Sequence, residues 1–372
     1  MYIFRCKMIY LDNAATTKPC EECRRAVAET MENTFGNASS LHKAGTASLM
    51  LISRARAAVL RGMSLGKTRL SGEVLFTSGA TESNNTALLG ANLRGGRIVT
   101  TAIEHPSQAR IIDKLEERGH EVVRLSPKDH DDFESAIVNA VDEKTALVSC
   151  MAVNNETGFC VDIRRLYNAV KAKNPKTLVH IDAVQGFLKM PLDGDLISVS
   201  GHKIHATKGI GALYIKKGVT LSPLLLGGGQ QKNLRSGTEP VELIAGLEAA
   251  INAYEYKREL FERLRAALLG GLSEIPDIRI NSGEGCLPNI VNFSVRGVRS
   301  EIMLHSLEEA DICVSSGSAC SKGKTSGVLS AFGVSDKDAD CAVRVSMCSD
   351  NTEEEIALLC EKIAQTVKSV RR

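Results

Sequence analysis

Short apolar runs alternate with helix-like segments through the middle of the sequence. The runs at residues 146–149 (Ala-Leu-Val-Ser) and 178–181 (Leu-Val-His-Ile) are nearly continuous, which is typical of strands buried on both faces. Strands of this kind that alternate with helices predict an α/β fold with a mainly parallel sheet, covered by helices on both faces. In such sheets, functional groups lie in the loops that follow the carboxyl ends of the strands.

Hydrophobic periodicity and turn residues assign most of the chain to regular elements. The predicted helices cover residues 21–34, 46–62, 86–93, 107–118, 133–141, 163–173, 241–270, 300–309 and 352–370. The predicted strands cover residues 8–11, 73–76, 97–101, 121–125, 146–151, 178–181, 196–199, 210–215, 279–281, 290–295, 312–314 and 343–347. Residues 77–85 are predicted to form a loop between a strand and a helix.

The chain has 372 residues, more than a single hydrophobic core usually supports. Pro240 precedes the long helix predicted over residues 241–270, which we interpret as the connection between two domains. We predict a large parallel-sheet domain at residues 18–260. A smaller α+β domain is predicted from residues 1–17 and 261–372, and it carries a mobile loop rich in glycine and serine.

Charge and cysteine spacing exclude several classes of protein. The net charge is +2 and no basic block occurs, so direct binding of nucleic acid is not expected. No apolar run approaches the ~20 residues that span a bilayer, and the first residues lack the length of a signal peptide. The eleven cysteines have no disulfide framework. Cys20 and Cys23 lie at a predicted helix start, and no cysteine–histidine cluster completes a metal site. We expect reduced thiols and a cytoplasmic protein.

Compact polar groups follow four successive predicted strands. These groups are Glu104-His105, Asn154-Asn155-Glu156, Asp182-Ala-Val-Gln185 and Ser200-Gly-His-Lys203. A lysine on a turn at the edge of a sheet, beside small residues and imidazoles, is placed to lose its proton and attack a carbonyl. In addition, the strand, Gly-Ala-Thr turn and helix around residues 73–93 present free backbone N–H groups to an anion. We expect a phosphate at that turn.

A nucleophilic lysine, a phosphate turn, an imidazole and an aspartate are what pyridoxal phosphate requires of a protein. Its aldehyde needs a lysine, its ring nitrogen needs an acidic partner, and its phosphate needs N–H and hydroxyl donors. A nicotinamide cofactor is not indicated, because no Gly-x-Gly-x-x-Gly motif follows an early strand. The sequence therefore predicts a pyridoxal-phosphate enzyme.

Seven motifs, in order along residues 8 to about 360, resemble those of the NifS/IscS-type cysteine desulfurases. The motifs occupy residues 10–17 (YLDNAATT), 76–85 (FTSGATESNN), 153–156 (VNNE), 180–185 (HIDAVQ), 200–203 (SGHK), 235–238 (RSGT) and 315–320 (SSGSAC). The resemblance implies a homodimer with the aspartate-aminotransferase fold of pyridoxal-phosphate-dependent transferases. It also implies conversion of L-cysteine to L-alanine.

The resemblance also implies a role for each matching residue. Lys203 would form the Schiff base with the cofactor, and His105 would stack on its ring. Asp182 would hold the ring nitrogen, and Gln185 the phenolic oxygen. The implied phosphate ligands are Ala80, Thr81, Ser200, His202 and, from the second subunit, Thr238. The implied substrate-carboxylate ligands are Asn155 and Arg344, since a guanidinium fork suits a carboxylate.

Cys320 would remove the substrate's sulfur as a persulfide. A nucleophilic thiol must be exposed, able to ionise and able to travel from the cofactor to an acceptor, and the serine- and glycine-rich loop supplies that travel. The implied acceptors are an iron–sulfur scaffold or a tRNA thiolase. His42, His180 and His205 are interpreted as structural, and Cys313, Cys341, Cys348 and Cys360 as core thiols.

Four features depart from the family pattern. Ala38 stands where the family usually has proline, Gln231 stands where an acidic residue is frequent, and residues 1–7 precede the usual start. The stretch after Cys320 is about two residues shorter than in the longer-looped members and lacks their Glu-Pro. Two other functions stay open at this point. The chain could be a selenocysteine lyase or another class V enzyme, or else a non-catalytic carrier of sulfur or clusters.

Overall fold

A computed structural model describes residues 8–63, 71–317 and 327–371 of the chain. The helices are α1 (Glu21–Asn33), α2 (Lys43–Met63), α3 (Ala80–Gly90), α4 (Pro106–Glu117), α5 (Phe133–Ala140), α6 (Ile163–Lys173), α7 (Val241–Ala253), α8 (Arg258–Ser273), α9 (Ser300–Glu308), α10 (Gly327–Ala331), α11 (Asp336–Asp340) and α12 (Glu353–Val370). The strands are β1 (Ile9–Tyr10), β2 (Gly72–Thr77), β3 (Arg97–Thr101), β4 (Val122–Leu125), β5 (Thr145–Met151), β6 (Leu178–Asp182), β7 (Leu196–Ser200), β8 (Gly211–Lys216), β9 (Ile278–Ile280), β10 (Ile290–Val295), β11 (Ile312–Cys313), β12 (Ser315–Ser316) and β13 (Ala342–Ser346).

The central sheet has seven strands in the order β2-β8-β7-β6-β5-β3-β4. Strands β7, β6, β5, β3 and β4 pair in parallel, while β8 runs antiparallel to both of its neighbours. Every residue of β7 is buried, as expected for a strand covered on both faces. The prediction of a mainly parallel sheet is confirmed.

A second, smaller sheet is antiparallel, with the strand order β12-β13-β10-β9. Its strands pack with α8 and α12 into a core that is separate from the core around the seven-stranded sheet. The N-terminal strand β1 joins this second core, because Ile9 pairs in parallel with Ile312 of β11. Residues at the two ends of the chain therefore share one core.

The sequence misplaced helix α3. It begins at Ala80 and ends at Gly90, whereas the predicted helix covered residues 86–93. The polar residues Ser83 and Asn84 obscure its start. Both are buried, and they form hydrogen bonds with Thr77 and Asp182, respectively. Their polarity reflects a buried network and not a loop.

The predicted long helix at residues 241–270 is also wrong, because the structure has two helices there. Helix α7 ends at Ala253, and Tyr254 adopts an extended conformation before α8 begins at Arg258. In the connection, the Tyr256 ring packs on Phe261 and its hydroxyl donates to Asn289 Oδ1 at 3.2 Å. These tertiary contacts interrupt a segment whose helical pattern is continuous.

Gln231 has a structural role that explains its amide. Its Nε2 donates to the Phe76 carbonyl at 2.9 Å, and its Oε1 accepts from the Phe76 N–H at 2.8 Å. The side chain thus satisfies the backbone N–H and carbonyl of Phe76 on β2, an edge strand of the central sheet. A carboxylate could accept from this N–H but could not donate to the carbonyl. Across the described ranges of the chain, no helix is long and apolar enough to cross a membrane.

Candidate active site

The polar groups that follow the parallel strands gather at one edge of the central sheet. Strand β3 leads to Glu104 and His105, β6 ends at Asp182, and β7 ends at Ser200. A single 3-10 turn after β7 then carries Lys203. The predicted convergence of these strand ends agrees with the parallel order of the strands.

Lys203 lies against the N-terminal segment of the chain. Its Nζ donates to the carbonyl oxygens of Ala14 and Ala15 at 2.6 and 2.7 Å. Burial lowers the pKa of Lys203 to about 8, and the positive charge of Arg344 acts in the same direction. A lysine with such a pKa is partly neutral near physiological pH, and the neutral amine is the form that attacks a carbonyl.

Asp182 is buried at the end of β6 with a donor on each carboxyl oxygen. Asn84 Nδ2 donates to Oδ2 at 2.8 Å, and the Val184 N–H donates to Oδ1 at 3.1 Å. Burial raises the pKa of this carboxyl, while the hydrogen bond from Asn84 and the charges of His105 and Lys203 oppose the change. The site therefore supports one buried negative charge close to two basic groups.

His105 is connected to Asp182 through a short chain of hydrogen bonds. It caps helix α4, where its Nδ1 accepts from the Ser107 N–H at 3.1 Å and lies 2.8 Å from Ser107 Oγ. Ser107 Oγ accepts in turn from Asn84 Nδ2 at 3.0 Å, and Asn84 also holds Asp182. Although His105 is exposed overall, partial burial of its imidazole and the charge of Lys203 lower its pKa.

The start of helix α3 forms a cradle of backbone N–H groups that have no side-chain cap. Gly79 precedes the helix with φ 151° and supplies no side-chain cap, so the first N–H groups, which include those of Ala80 and Thr81, are left for a ligand. A Cβ atom on Gly79 would lie 3.7 Å from Ser200 Oγ, which places this hydroxyl beside the helix start. Free N–H groups at a helix start can bind an anion, and the phosphate at this turn stays a prediction.

His202 and Thr238 lie at the edge of this region. His202 Nδ1 is 3.2 Å from Thr16 Oγ1, and burial lowers the pKa of His202 to about 4. Thr238 is exposed, three residues beyond Arg235, whose Nε donates to Glu82 in the first turn of α3 at 2.9 Å. The ion pair thus ties the Arg-Ser-Gly-Thr segment to the helix that forms the cradle.

Arg344 connects the second core to the site. It is 6% exposed, and its two terminal nitrogens donate to Asp12 Oδ1 at 2.6 Å, Ser315 Oγ at 3.0 Å and the Asn155 carbonyl at 3.1 Å. Its Nε is buried and has no hydrogen-bond partner among the described residues. The structure therefore brings Asn155 and Arg344 together and leaves one guanidinium N–H available.

A cleft of about 870 Å³ reaches Lys203 and Gln185. Gln185 is buried, and its Nε2 donates to the Ala14 carbonyl at 2.9 Å. The carbonyl of Ala14 thus accepts from both Gln185 and Lys203. Cys348 also lines this cleft, and burial raises its pKa.

Cys320 lies outside the described residues. Several other thiols are poorly suited to act as nucleophiles, because burial raises the pKa of Cys313 and Cys348, and that of Cys360 to about 11. Cys20 caps helix α1 at the predicted place, where its Sγ accepts from the Cys23 N–H. In the described ranges, no group of three or more potential metal ligands occurs.

Sequence reasoning gave no role to three residues that organise the site: Asp12, Asn84 and Glu104. Asp12 pairs with Arg344, Asn84 holds Asp182, and Glu104 is a buried acid that binds the Met151 N–H. All three lie in polar stretches of the sequence. Their partners are distant in sequence, so no local pattern could identify them.

The residues present fit pyridoxal phosphate. Asp182 offers a fixed carboxylate for a protonated ring nitrogen, and α3 offers free N–H groups for a phosphate. Lys203 supplies the amine, and the bare Nε of Arg344 can donate to a substrate carboxylate. Each of these groups meets a requirement of the cofactor or of an amino-acid substrate.

Comparisons with known proteins agree with this site. Residues 9–359 match the family model described as aminotransferase class-V. A cysteine desulfurase of Trichormus azollae is 36% identical, with 98% of this chain and 94% of the relative covered. The cysteine desulfurase IscS of Clostridium botulinum (strain Kyoto / Type A2) is 35% identical, with 98% and 96% covered.

Solved structures are similar over nearly the whole chain. A NifS-like protein has a TM-score of 0.88 at 34% identity, with 98% of this chain and all of the other chain covered. A structure titled SspA in complex with cysteine has a TM-score of 0.79 at 29% identity, with 91% and 98% covered. The similarity thus includes both hydrophobic cores.

Proposed function

The chain belongs to the class-V aminotransferase family and is a cysteine desulfurase that depends on pyridoxal phosphate; on this premise we propose that Lys203, Arg344 and Cys320 carry its reaction. L-cysteine is the substrate, and its sulfur passes to an acceptor. The observation that carries the assignment is the grouping of Lys203 with Asp182 and Arg344. The charges of both residues act on the pKa of the Lys203 amine.

When bound, pyridoxal phosphate supplies an aldehyde for amines and a protonated ring that withdraws electrons from the substrate. The residues proposed to hold it are Lys203 for the aldehyde, Asp182 for the ring nitrogen, Gln185 for the phenolic oxygen and His105 for the ring face. For the phosphate we propose Ala80, Thr81, Ser200 and His202, with Thr238 from a second copy of the chain.

Lys203 moves protons at the substrate carbon. Its Nζ has a pKa of about 8, so it both releases and accepts a proton near neutral pH. The carbonyl oxygens of Ala14 and Ala15 orient this nitrogen. Arg344 binds the substrate carboxylate through its fork, and Asn155 supports it from the loop after β5.

Cys320 accepts the sulfur. Its thiolate attacks the sulfur of the bound substrate, an S–S bond forms, and the substrate's C–S bond breaks. The electron pair of that bond stays with the carbon, which takes up a proton and leaves as L-alanine. The balance is one L-cysteine and one thiol giving one L-alanine and one persulfide. An acceptor then removes the outer sulfur, and we propose an iron–sulfur scaffold or a tRNA thiolase for this role.

A homodimer is part of the proposal. Large apolar side chains are exposed around the end of α1 and the start of α2: Met31 by 64%, Phe35 by 76%, Leu41 by 101% and Met50 by 67%. Clustered exposed apolar side chains mark interaction surfaces. A second copy on this surface would bury them and is the proposed source of Thr238 for the phosphate cradle.

Two further assignments belong to the proposal. The division into residues 18–260 and residues 1–17 with 261–372 is supported by the two separate hydrophobic cores. A cytoplasmic location is supported by the nine free cysteines among the described residues, because thiols stay reduced there.

Incubation with L-cysteine tests the function. With a reductant present, we expect L-alanine and sulfide in equal amounts, and L-serine should give neither. Lys203→Ala should abolish both products, whereas Lys208→Ala, which removes an exposed lysine of the same segment, should keep them. Release of sulfide without L-alanine, or activity with L-selenocysteine alone, would contradict the proposal.

A further inference from the structure

Glu104 is a buried acid whose two carboxyl oxygens have different surroundings. Among the described residues, its side chain accepts hydrogen bonds only at Oε1, from the Thr101 hydroxyl and from the Met151 N–H at 3.1 Å. Its Oε2 is buried and has no partner in the part of the chain that the structure describes. Glu104 is 5% exposed, so water does not solvate this oxygen.

Strand register places this carboxyl beside Asp182. Met151, whose N–H binds Glu104, pairs directly with Asp182 in the parallel β5–β6 ladder. Two buried acids therefore occupy adjacent positions at the carboxyl end of the sheet. Two buried like charges at adjacent positions oppose each other strongly, because no water screens them.

The two acids differ in their ability to hold a negative charge. Both oxygens of Asp182 accept a hydrogen bond, and the charges of His105 and Lys203 favour its ionised form. Glu104 has one bare oxygen, and the negative charge of Asp182 opposes its ionisation. An ionised carboxylate costs far more to bury than a neutral acid.

We propose that Glu104 is a positioning residue that stays protonated beside Asp182, so that the buried pair carries one negative charge and carries it on Asp182. The link to the cofactor rests on the proposed function, because the negative charge on Asp182 is the one assigned to the ring nitrogen. The arrangement gives Asp182 a buried neighbour that fills space but adds no charge.

The other titratable groups around the pair do not reverse this assignment. Cys150 on β5 is buried, and its thiol has a pKa well above its ordinary value, so it is neutral. Glu134 on α5 faces the same region, where it interacts with Cys150. His180 on β6 is neutral, because burial lowers its pKa to about 3. Burial itself raises the pKa of Glu104 to about 8.

The pH dependence of folding in the cofactor-free protein tests the proposal without any catalytic step. An acid whose pKa is raised on folding contributes stability at low pH, and this stability is lost as the pH rises towards the folded-state pKa. Glu104→Gln has the shape of the neutral acid but cannot ionise. From pH 5 to pH 8, the unfolding equilibrium constant of the wild type should rise relative to that of Glu104→Gln, by up to about tenfold per pH unit.

The comparison uses urea unfolding at each pH, with Asp182→Asn as a second background. In that background the effect of Glu104→Gln should level off at lower pH and be smaller, because the charge that opposes ionisation of Glu104 is absent. Wild type and Glu104→Gln with parallel profiles from pH 5 to pH 9 would overturn the proposal. Failure of the proposed function, seen as absent pyridoxal-phosphate binding, would leave this result intact.

A spectroscopic measurement covers the case in which Glu104→Gln does not fold. Difference infrared spectra of the cofactor-free wild type between pH 7 and pH 9 should contain the carbonyl stretch of a protonated carboxyl at pH 7. The band should remain in Asp182→Asn. Its absence from both proteins would mean that Glu104 is ionised at pH 7, and the proposal would be wrong.

Discussion

Asn84 Nδ2 donates to Asp182 Oδ2 at 2.8 Å, across 98 positions of sequence. The same amide donates to Ser107 Oγ, which is bonded to His105. One side chain on helix α3 thus fixes two of the groups assigned to the cofactor ring. Its own Oδ1 has no hydrogen-bond partner among the described residues, so its role is to donate.

Replacing Asn84 by alanine should weaken cofactor binding. Asp182 would keep only the Val184 N–H, and a hydrogen bond to a charged group contributes about 1.5–3 kcal/mol. We expect the Kd for pyridoxal phosphate to rise about ten- to a hundredfold, measured by fluorescence titration. Asn85→Ala is the matched control, because within the described ranges the Asn85 side chain bonds only the Thr81 carbonyl. Equal Kd values for the two variants would contradict the role of Asn84.

Lys203 should react with pyridoxal phosphate in a pH-dependent manner. Because burial lowers its pKa to about 8, the neutral fraction rises through pH 8, and the rate of chromophore formation should be half-maximal there. An ordinary lysine would require a pH near 10.4. Absorbance stopped-flow from pH 6.5 to pH 10 measures this rate, with Lys203→Ala as the blank. A midpoint above pH 9.5 would rule out the depressed pKa.

Arginine geometry at position 344 should decide substrate affinity. Arg344→Lys keeps the charge but removes the planar fork that suits a carboxylate. We expect kcat/KM for L-cysteine to fall at least about a hundredfold, mainly through KM, because a bound-state contact is lost. Arg279→Lys is the control, since Arg279 lies on β9 of the same small sheet and pairs with Asp338 of α11 instead of with Asp12. A fall in kcat alone would contradict a binding role.

The exposed surface around α1 and α2 should form the dimer. Phe35→Glu combined with Leu41→Glu introduces two charges among side chains that are 76% and 101% exposed. These changes should leave the monomer folded and shift the protein to a monomer in light scattering. Leu358→Glu, at a residue 37% exposed on α12, should leave the dimer intact. An unchanged dimer in the double variant would place the interface elsewhere.

Local sequence patterns predicted the strands and their loops well, because burial on both faces leaves a plain apolar run. Strands 97–101 and 290–295 occur with the predicted bounds. Two features could not be predicted in this way. The sequence pattern places the start of helix α3 too late, because the polar Asn84 lies inside the helix and donates to the distant Asp182. The break at Tyr254 depends on contacts that form only in the folded protein. Glu104 belongs to a polar group in the sequence, but only the structure shows that its Oε2 has no hydrogen-bond partner among the described residues.

The last prediction separates the proposed sulfur nucleophile from the other thiols. Cys320→Ser should keep the pyridoxal-phosphate absorbance and still change its spectrum on addition of L-cysteine, because Lys203 and Arg344 are untouched. It should form almost no L-alanine, since a hydroxyl cannot accept the sulfur. Cys348→Ser is the matched control: Cys348 lines the cleft that reaches Lys203, but burial raises its pKa, and a protonated thiol is a weak nucleophile.

Mass spectrometry after treatment with L-cysteine locates the sulfur directly. In the wild type and in Cys348→Ser, the peptide that contains Cys320 should gain one sulfur atom that a reductant removes. The same peptide in Cys320→Ser should gain none, and no other peptide should gain it instead. Because the raised pKa values of Cys313, Cys348 and Cys360 leave these thiols protonated near pH 7, a persulfide on any of them would show that the assignment to Cys320 is wrong.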